Sequence, residues 1–401
     1  GDVYKRQLVK LLEDKSVPTV FLQGLVASAA PMMFASAARR VSPMCLFVLN
    51  DAEEAGYFYH DLTQIMGNTD VLFFPSSYRR QVKYGQRDPA SEILRTEVLS
   101  RLSAPLEGHP LYVVTCPEAL SELVVSRKKL DERTLLLRTG DTHDVIQLER
   151  TLRDFGFTEV DYVYEPGQFA LRGSILDVFS YSSEYPFRID FFGDEIDSIR
   201  TFEVQSQLSR DKRERIEIGI RDSIEIVPEL ATLTDEKVSF MRFLPEDTII
   251  VAKDILYVRD VIDRTYHDGF SQQAKKERLE GLTEMEQQAV MKELRADSML
   301  ISGARFMTDA SGFRRMEMGT KPTGTPAATL KFDMTPQPLF HKNFDLLTKA
   351  LEDYMLRGYK LYILADSAKQ NERLKDIFTT LADEGKAGRI EFLPVDKTLH
   401  E

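Results

Sequence analysis

The chain has 401 residues, 43% apolar and 29% charged, with 52 basic against 64 acidic side chains and a net charge of −12. That length exceeds one compact core, so two to four domains of a soluble globular protein are expected. The acidic balance argues against a dedicated, sequence-independent nucleic-acid binder, which needs a basic surface to neutralise phosphates.

The opening GDVYKRQ reads as a remnant outside the fold, and the chain reads as a fragment at both ends. From residue 18 onward, strand-sized apolar runs alternate with helical patterns. Strands are expected at 19–22, 44–49, 71–74 and 111–115, and helices at 29–40, 51–66, 91–102 and 117–127. Asp51 fits an N-cap and Gly67 a C-cap. Such alternation predicts a doubly wound parallel sheet.

The texture changes after about residue 130. One helix at 142–155 precedes short strands at 161–164, 168–171, 174–179, 186–192, 195–202 and 216–220, and a further strand is expected at 135–138. Turn signals separate them, which predicts a small, mostly antiparallel α+β domain inserted into the α/β context. The α/β style resumes with a strand at 248–252 and a charged helix at 271–294. The Gly- and Pro-containing stretch 316–328 reads as a loop or linker. A third α/β unit follows, with helices at 344–356 and 367–381 and strands at 359–364 and 390–393.

No segment spans a membrane and no leader marks export, so the compartment reads as cytoplasmic, without a membrane partner. Cys45 and Cys116 sit among apolar neighbours and read as reduced core thiols. Six scattered histidines offer no metal-ligand spacing.

The passage FLQGLVASAAP (21–31) occupies the place of a phosphate-binding loop, the strand-to-helix turn GxxxxGK[ST]. Gly24 remains. Ala29 stands for the second glycine, Ala30 for the lysine and Pro31 for the hydroxyl residue, and proline also removes an N–H donor. The strand at 248–252 lacks an acidic pair for a metal, keeping only Asp254. An ordinary strand-to-helix turn fits equally well. Nucleotide hydrolysis is not expected on either reading.

The segments YEPGQFALRGSILDVF (164–179) and YPFRIDFFGDEIDSIRTF (185–202) closely resemble the signature shared by transcription-repair coupling factors (Mfd) and the excinuclease component UvrB. The altered residues at 29–31 and the start of the third unit (340–344, 357–360) favour the coupling factors. The resemblance implies a degenerate P-loop-like, helicase-like α/β domain whose first part is residues 8–130 and whose second part is 221–335. It further implies an inserted UvrA-binding domain at 131–220 and a truncated third α/β domain at 336–401. On this reading the chain is a non-catalytic platform recruiting UvrA to stalled RNA polymerase, and it carries no cofactor. ATP and magnesium, RNA polymerase and DNA would engage absent domains of a longer translocase. The inserted domain would also contact the absent C-terminal region.

The family assigns Arg172, Arg188 and Phe192 to the UvrA contact, with Phe192 outward. Strand alternation alone says only that Phe191 and Phe192 face opposite ways. Glu195, Asp197 and Arg200 read as an exposed charged face. Tyr78, Arg79, Arg80, Lys83, Tyr84 and Arg87 read as a solvated loop, with weak DNA contact as the alternative. The rival reading of the whole chain is a UvrB-like, DNA-binding helicase or ATPase of the excinuclease.

Overall fold

Apolar runs too short for helices and too continuous for a half-solvated sheet set the centre of the molecule. Met44–Val48, Leu111–Thr115 and Ile249–Ala252 are buried at every position, as parallel strands covered on both faces must be. The computed structural model describes residues 2–41, 44–77, 88–204, 216–233, 236–268, 276, 279–293, 299–364, 368–383 and 393–395. Its central sheet has seven strands in the order Ala328–Lys331, Thr19–Gln23, Arg314–Glu317, Ile249–Ala252, Met44–Val48, Leu111–Thr115, Val71–Phe74. Every adjacent pair is parallel. The helix Ala29–Ala38 buries Phe34 edge-on against Phe47, and the Tyr112 hydroxyl donates to the Phe34 carbonyl at 2.7 Å. Asp51 accepts from the Glu54 amide at 2.8 Å and starts the helix Ala52–Met66.

In sequence, between the central-sheet strands Leu111–Thr115 and Ile249–Ala252, comes a second, mixed sheet. Its order is Ile216–Arg221, Glu195–Glu203, Phe187–Phe192, Ile175–Val178, Gln168–Arg172, Thr158–Glu159, antiparallel except for the last pair. The helix Val145–Asp154 packs Leu148 and Leu152 into a core with Leu176, Val178, Ile189 and Ile199. A two-stranded antiparallel neck, Leu135–Arg138 with Ser223–Ile226, gathers the two ends of this domain. On the opposite face, Ala170, Phe179 and Val163 pack against Ile93 of the helix Pro89–Ser103, tying the domain to the main body. The architecture is therefore mixed α/β, with a parallel sheet and a separate mixed one.

Several expectations need correction. The opening residues belong to the fold: Asp2–Glu13 is a helix, Tyr4 packs on Phe332, and its hydroxyl accepts from the Asp333 amide at 3.0 Å. The helix expected at 117–127 stops at Ser121, because the chain turns to deliver the Glu122 carboxylate to Arg95 and to the Ser77 amide. Val124–Val125 then pairs with Lys237–Val238. Residues 161–164 form no strand. Their donors and acceptors are taken locally: the Tyr164 and Glu165 amides donate to Gln168 Oε1, and the Asp161 carbonyl accepts from Arg172.

Of the two readings of 316–328, loop holds for 318–327 and linker does not, since the ends of the stretch lie in two strands of the central sheet. The turn between them is organised by Glu317, 5% exposed, which accepts from the Thr323 amide at 2.9 Å and from its hydroxyl. Of the helix expected at 271–294, Glu284–Glu293 is present, and 271–275, 277–278 and 294 lie outside the described residues. Cys45 and Cys116 are free and buried, and burial raises the Cys116 thiol to about 12. Among the described residues, no helix is long and apolar enough to cross a membrane. In the C-terminal unit, Asn343 caps the helix Phe344–Leu356, and Tyr362–Leu364 pairs in parallel with Leu393–Val395.

Two glycines permit close backbone approach. A Cβ at Gly24, where φ is +87°, would stand 2.4 Å from the Phe332 carbonyl oxygen, and one at Gly319 would stand 2.4 Å from that of Lys253. Both obstacles are backbone and cannot rotate away. Gly24→Ala is expected to destabilise the chain by about 2–4 kcal/mol, the sum of a left-handed backbone penalty and a steric shift. A urea unfolding midpoint equal to that of the parent chain would contradict this.

Candidate functional site

The face of the inserted sheet turned away from the domain's own core gathers the chemistry, its Ala170 end covered by the helix Pro89–Ser103. Along Phe187–Phe192 the side chains alternate: Phe187, Ile189 and Phe191 enter the core, whereas Arg188, Asp190 and Phe192 point away. Phe191 is 4% exposed and Phe192 83%. Antiparallel register sets Ala170, Asp177, Arg188, Arg200 and Ile220 in one row across five strands, so they share this face. Ile220 is exposed as well.

Arg172 and Arg188 converge on Asp177, whose side chain is entirely buried. Arg188 Nε and Nη2 donate to the two carboxylate oxygens at 2.8 and 3.0 Å, a two-point pairing. Arg172 Nη2 donates to Asp177 Oδ2 at 2.8 Å, and its Nη1 donates to the Asp161 carbonyl at 2.7 Å. An aromatic ring backs each guanidinium: Tyr162 lies 4.8 Å from Arg172 and Phe202 5.0 Å from Arg188. The hydrogen bond from Arg188 to Asp177 raises the Arg188 pKa against the opposing pull of burial. Two cations share one anion here, and Asp190 and Glu195 lie on the same face beside Arg200 and Phe192.

The arginines and Phe192 stand out in the sequence; Asp177 does not. Its signal is a lone carboxylate in the apolar strand Ile175–Val178. Glu195 and Asp197 are exposed, and Arg200 is half-buried, 4.0 Å from Asp190. Residues 78–87, with Tyr78, Arg79, Arg80, Lys83, Tyr84 and Arg87, lie outside the described residues.

The loop after Thr19–Gln23 has a different character. The Ala29 amide donates back to the Val26 carbonyl at 2.9 Å, and the Ser28 hydroxyl donates to Asp61 at 2.9 Å. Ala30 and Pro31 are buried in the first turn of the helix, where proline costs no hydrogen bond. Position 30 has no ammonium side chain and position 31 no hydroxyl. Asp254 caps the helix Ile255–Asp268 through the Leu256 and Tyr257 amides, and Lys253 pairs with Glu54.

Residues 135–221 match the family described as the UvrB interaction domain. Over about half its length the chain is similar to transcription-repair-coupling factors. It is 27% identical to that of Bacillus subtilis (strain 168) over 217 residues, covering 54% of this chain and 18% of that protein. It is 33% identical to that of Haemophilus influenzae over 180 residues, covering 44% and 15%. For the Escherichia coli (strain K12) protein the identity is 27% over 194 residues, covering 48% and 17%. The matched region is thus less than a fifth of the length of these relatives.

Removing Arg188 would take the two-point partner from the buried Asp177 carboxylate, while the ion pair from Arg172 Nη2 stays in place. Breaking such a pair from one side costs several kcal/mol, and Arg172 tempers the loss. Arg188→Ala is expected to destabilise the inserted domain by about 2–3 kcal/mol, read by chemical denaturation. An unchanged unfolding curve would show that Asp177 is satisfied without it.

Proposed function

We propose that the chain is a non-catalytic platform that docks UvrA through the outward face of its inserted domain, serving transcription-coupled nucleotide excision repair. The observation that carries this reading is Phe192, 83% exposed on the same face as Arg172 and Arg188, within the residues matching the UvrB interaction domain. A large exposed aromatic beside oriented guanidiniums is the composition of an interface hot spot, suited to a partner with acidic and apolar contacts. The coupling of transcription to repair, for which the relatives are named, supplies the setting.

On the same reading, residues 8–130 and 221–335 are the two parts of a degenerate P-loop-like, doubly wound α/β domain. Residues 131–220 are the UvrA-binding domain, and 336–401 open a third α/β domain. Gly24, Ala29, Ala30 and Pro31 mark the altered phosphate loop, and the side chains there do not fit a nucleoside triphosphate: the lysine and hydroxyl are missing and Ser28 is engaged by Asp61. ATP, magnesium, RNA polymerase and DNA would engage other domains of a longer translocase in the cytoplasm. In that protein, contact with its C-terminal region would mask the docking face until polymerase is engaged.

Because Arg188 also holds the fold, Phe192 gives the cleaner test. Phe192→Ala is expected to weaken UvrA binding by about 1–3 kcal/mol in a calorimetric titration while leaving the thermal unfolding midpoint in place. Wild-type affinity in that variant would remove Phe192 from the interface. The chain alone is expected to hydrolyse no ATP, with or without DNA, in a phosphate-release assay. Sustained DNA-stimulated turnover would favour the UvrB-like ATPase instead.

A further inference from the structure

Asp177 cannot touch a docked protein, because none of its surface reaches solvent. Its carboxylate nevertheless engages both arginines of the proposed docking face. We infer that Asp177 is the positioning residue of that face, fixing the Arg172 and Arg188 guanidiniums in a binding-ready geometry before any partner arrives. The inference rests on reading this face as the UvrA-docking surface.

Geometry and energetics support it together. The two-point contact uses Nε and Nη2 of Arg188 and so sets the plane of its guanidinium as well as its place. Arg172 is fixed by Nη1 on the Asp161 carbonyl and Nη2 on Asp177. Each arginine thereby keeps one guanidinium nitrogen outside these contacts, Nη1 of Arg188 and Nε of Arg172, for an incoming acceptor. Phe202 and Tyr162 restrain the ring-facing side of each group. A free arginine loses much rotamer freedom when it binds, and one already held loses less. Packing alone does not require an acid here. Its strand neighbours Leu176 and Val178 are core residues, and an apolar side chain of similar size is often as stable as a buried ion pair.

The test uses the full chain with the substitution Asp177→Asn, which preserves shape and removes the anion. Purified bacterial UvrA is titrated calorimetrically well below the unfolding midpoint of each variant. Binding weakened about 10-fold or more is expected in the folded variant. Wild-type affinity there would overturn the inference, since a merely structural aspartate lowers stability without changing the affinity of the folded fraction. Should Asp177→Asn fail to fold, Arg188→Lys decides. It keeps the charge opposite Asp177 but not the two-point contact, so about 10-fold weaker binding supports positioning and unchanged binding overturns it.

Absence of UvrA binding by the wild-type chain would sink the docking reading separately. Positioning would then be read from the Arg188 Nε–H signal by nuclear magnetic resonance. Slow solvent exchange in the unliganded chain supports the inference, and exchange as fast as in a free arginine overturns it.

Discussion

The strand Thr19–Gln23 pairs on one side with Arg314–Glu317 and on the other with Ala328–Lys331. An early strand enclosed by two late ones obliges the chain to bring residues 314–331 back beside Thr19–Gln23 after several excursions from the sheet. The inserted domain is the largest of these excursions. Its antiparallel neck brings its two ends together, and the contact of Ile93 with Ala170, Phe179 and Val163 fastens it a second time. With both attachments on the same body, the orientation of the docking face follows from the closure of the central sheet.

That face solves a charge problem of its own. Arg188 stands directly opposite Arg200 in the register, an unfavourable pairing of like charges in a sheet. Asp177 on one flank and Asp190 beside Arg200 offset it. The result is a face of interleaved arginines and carboxylates on a chain whose net charge is −12. Charge pairing of this kind steers a partner and fixes its register more than it adds affinity, so on the proposed reading the anchoring falls to Phe192.

Much of this was legible in the sequence. Continuous apolar runs such as 111–115 announced strands, their alternation with helices announced a parallel sheet, and strand alternation announced that Phe191 and Phe192 face opposite ways. Asp177 was not legible as a partner of Arg172 and Arg188, because their convergence depends on which strands adjoin and in what register. The stretch 316–328 was legible in part. Its glycines and prolines signal a turn correctly, but the strands at its ends are too short to show a period, and nothing in the sequence marks Glu317 as the acceptor for Thr323 that holds the turn. The helix expected at 117–127 was broken by a tertiary demand, the delivery of Glu122 to Arg95. The short side chains at 29–31 were visible at once, whereas the engagement of Ser28 by Asp61 needed the fold.

The same early-with-late pairing has a consequence for biosynthesis. The inserted domain draws its strands from a continuous segment, so its contacts are available once residue 226 has left the ribosome. The central sheet waits for residue 331, which at ordinary elongation rates arrives roughly 5–20 seconds later. Through that interval Thr19–Gln23, an apolar strand with two unsatisfied edges, depends on partners not yet made. The docking domain is the first part of the chain able to mature, and the body that carries it is the part most exposed to chaperones.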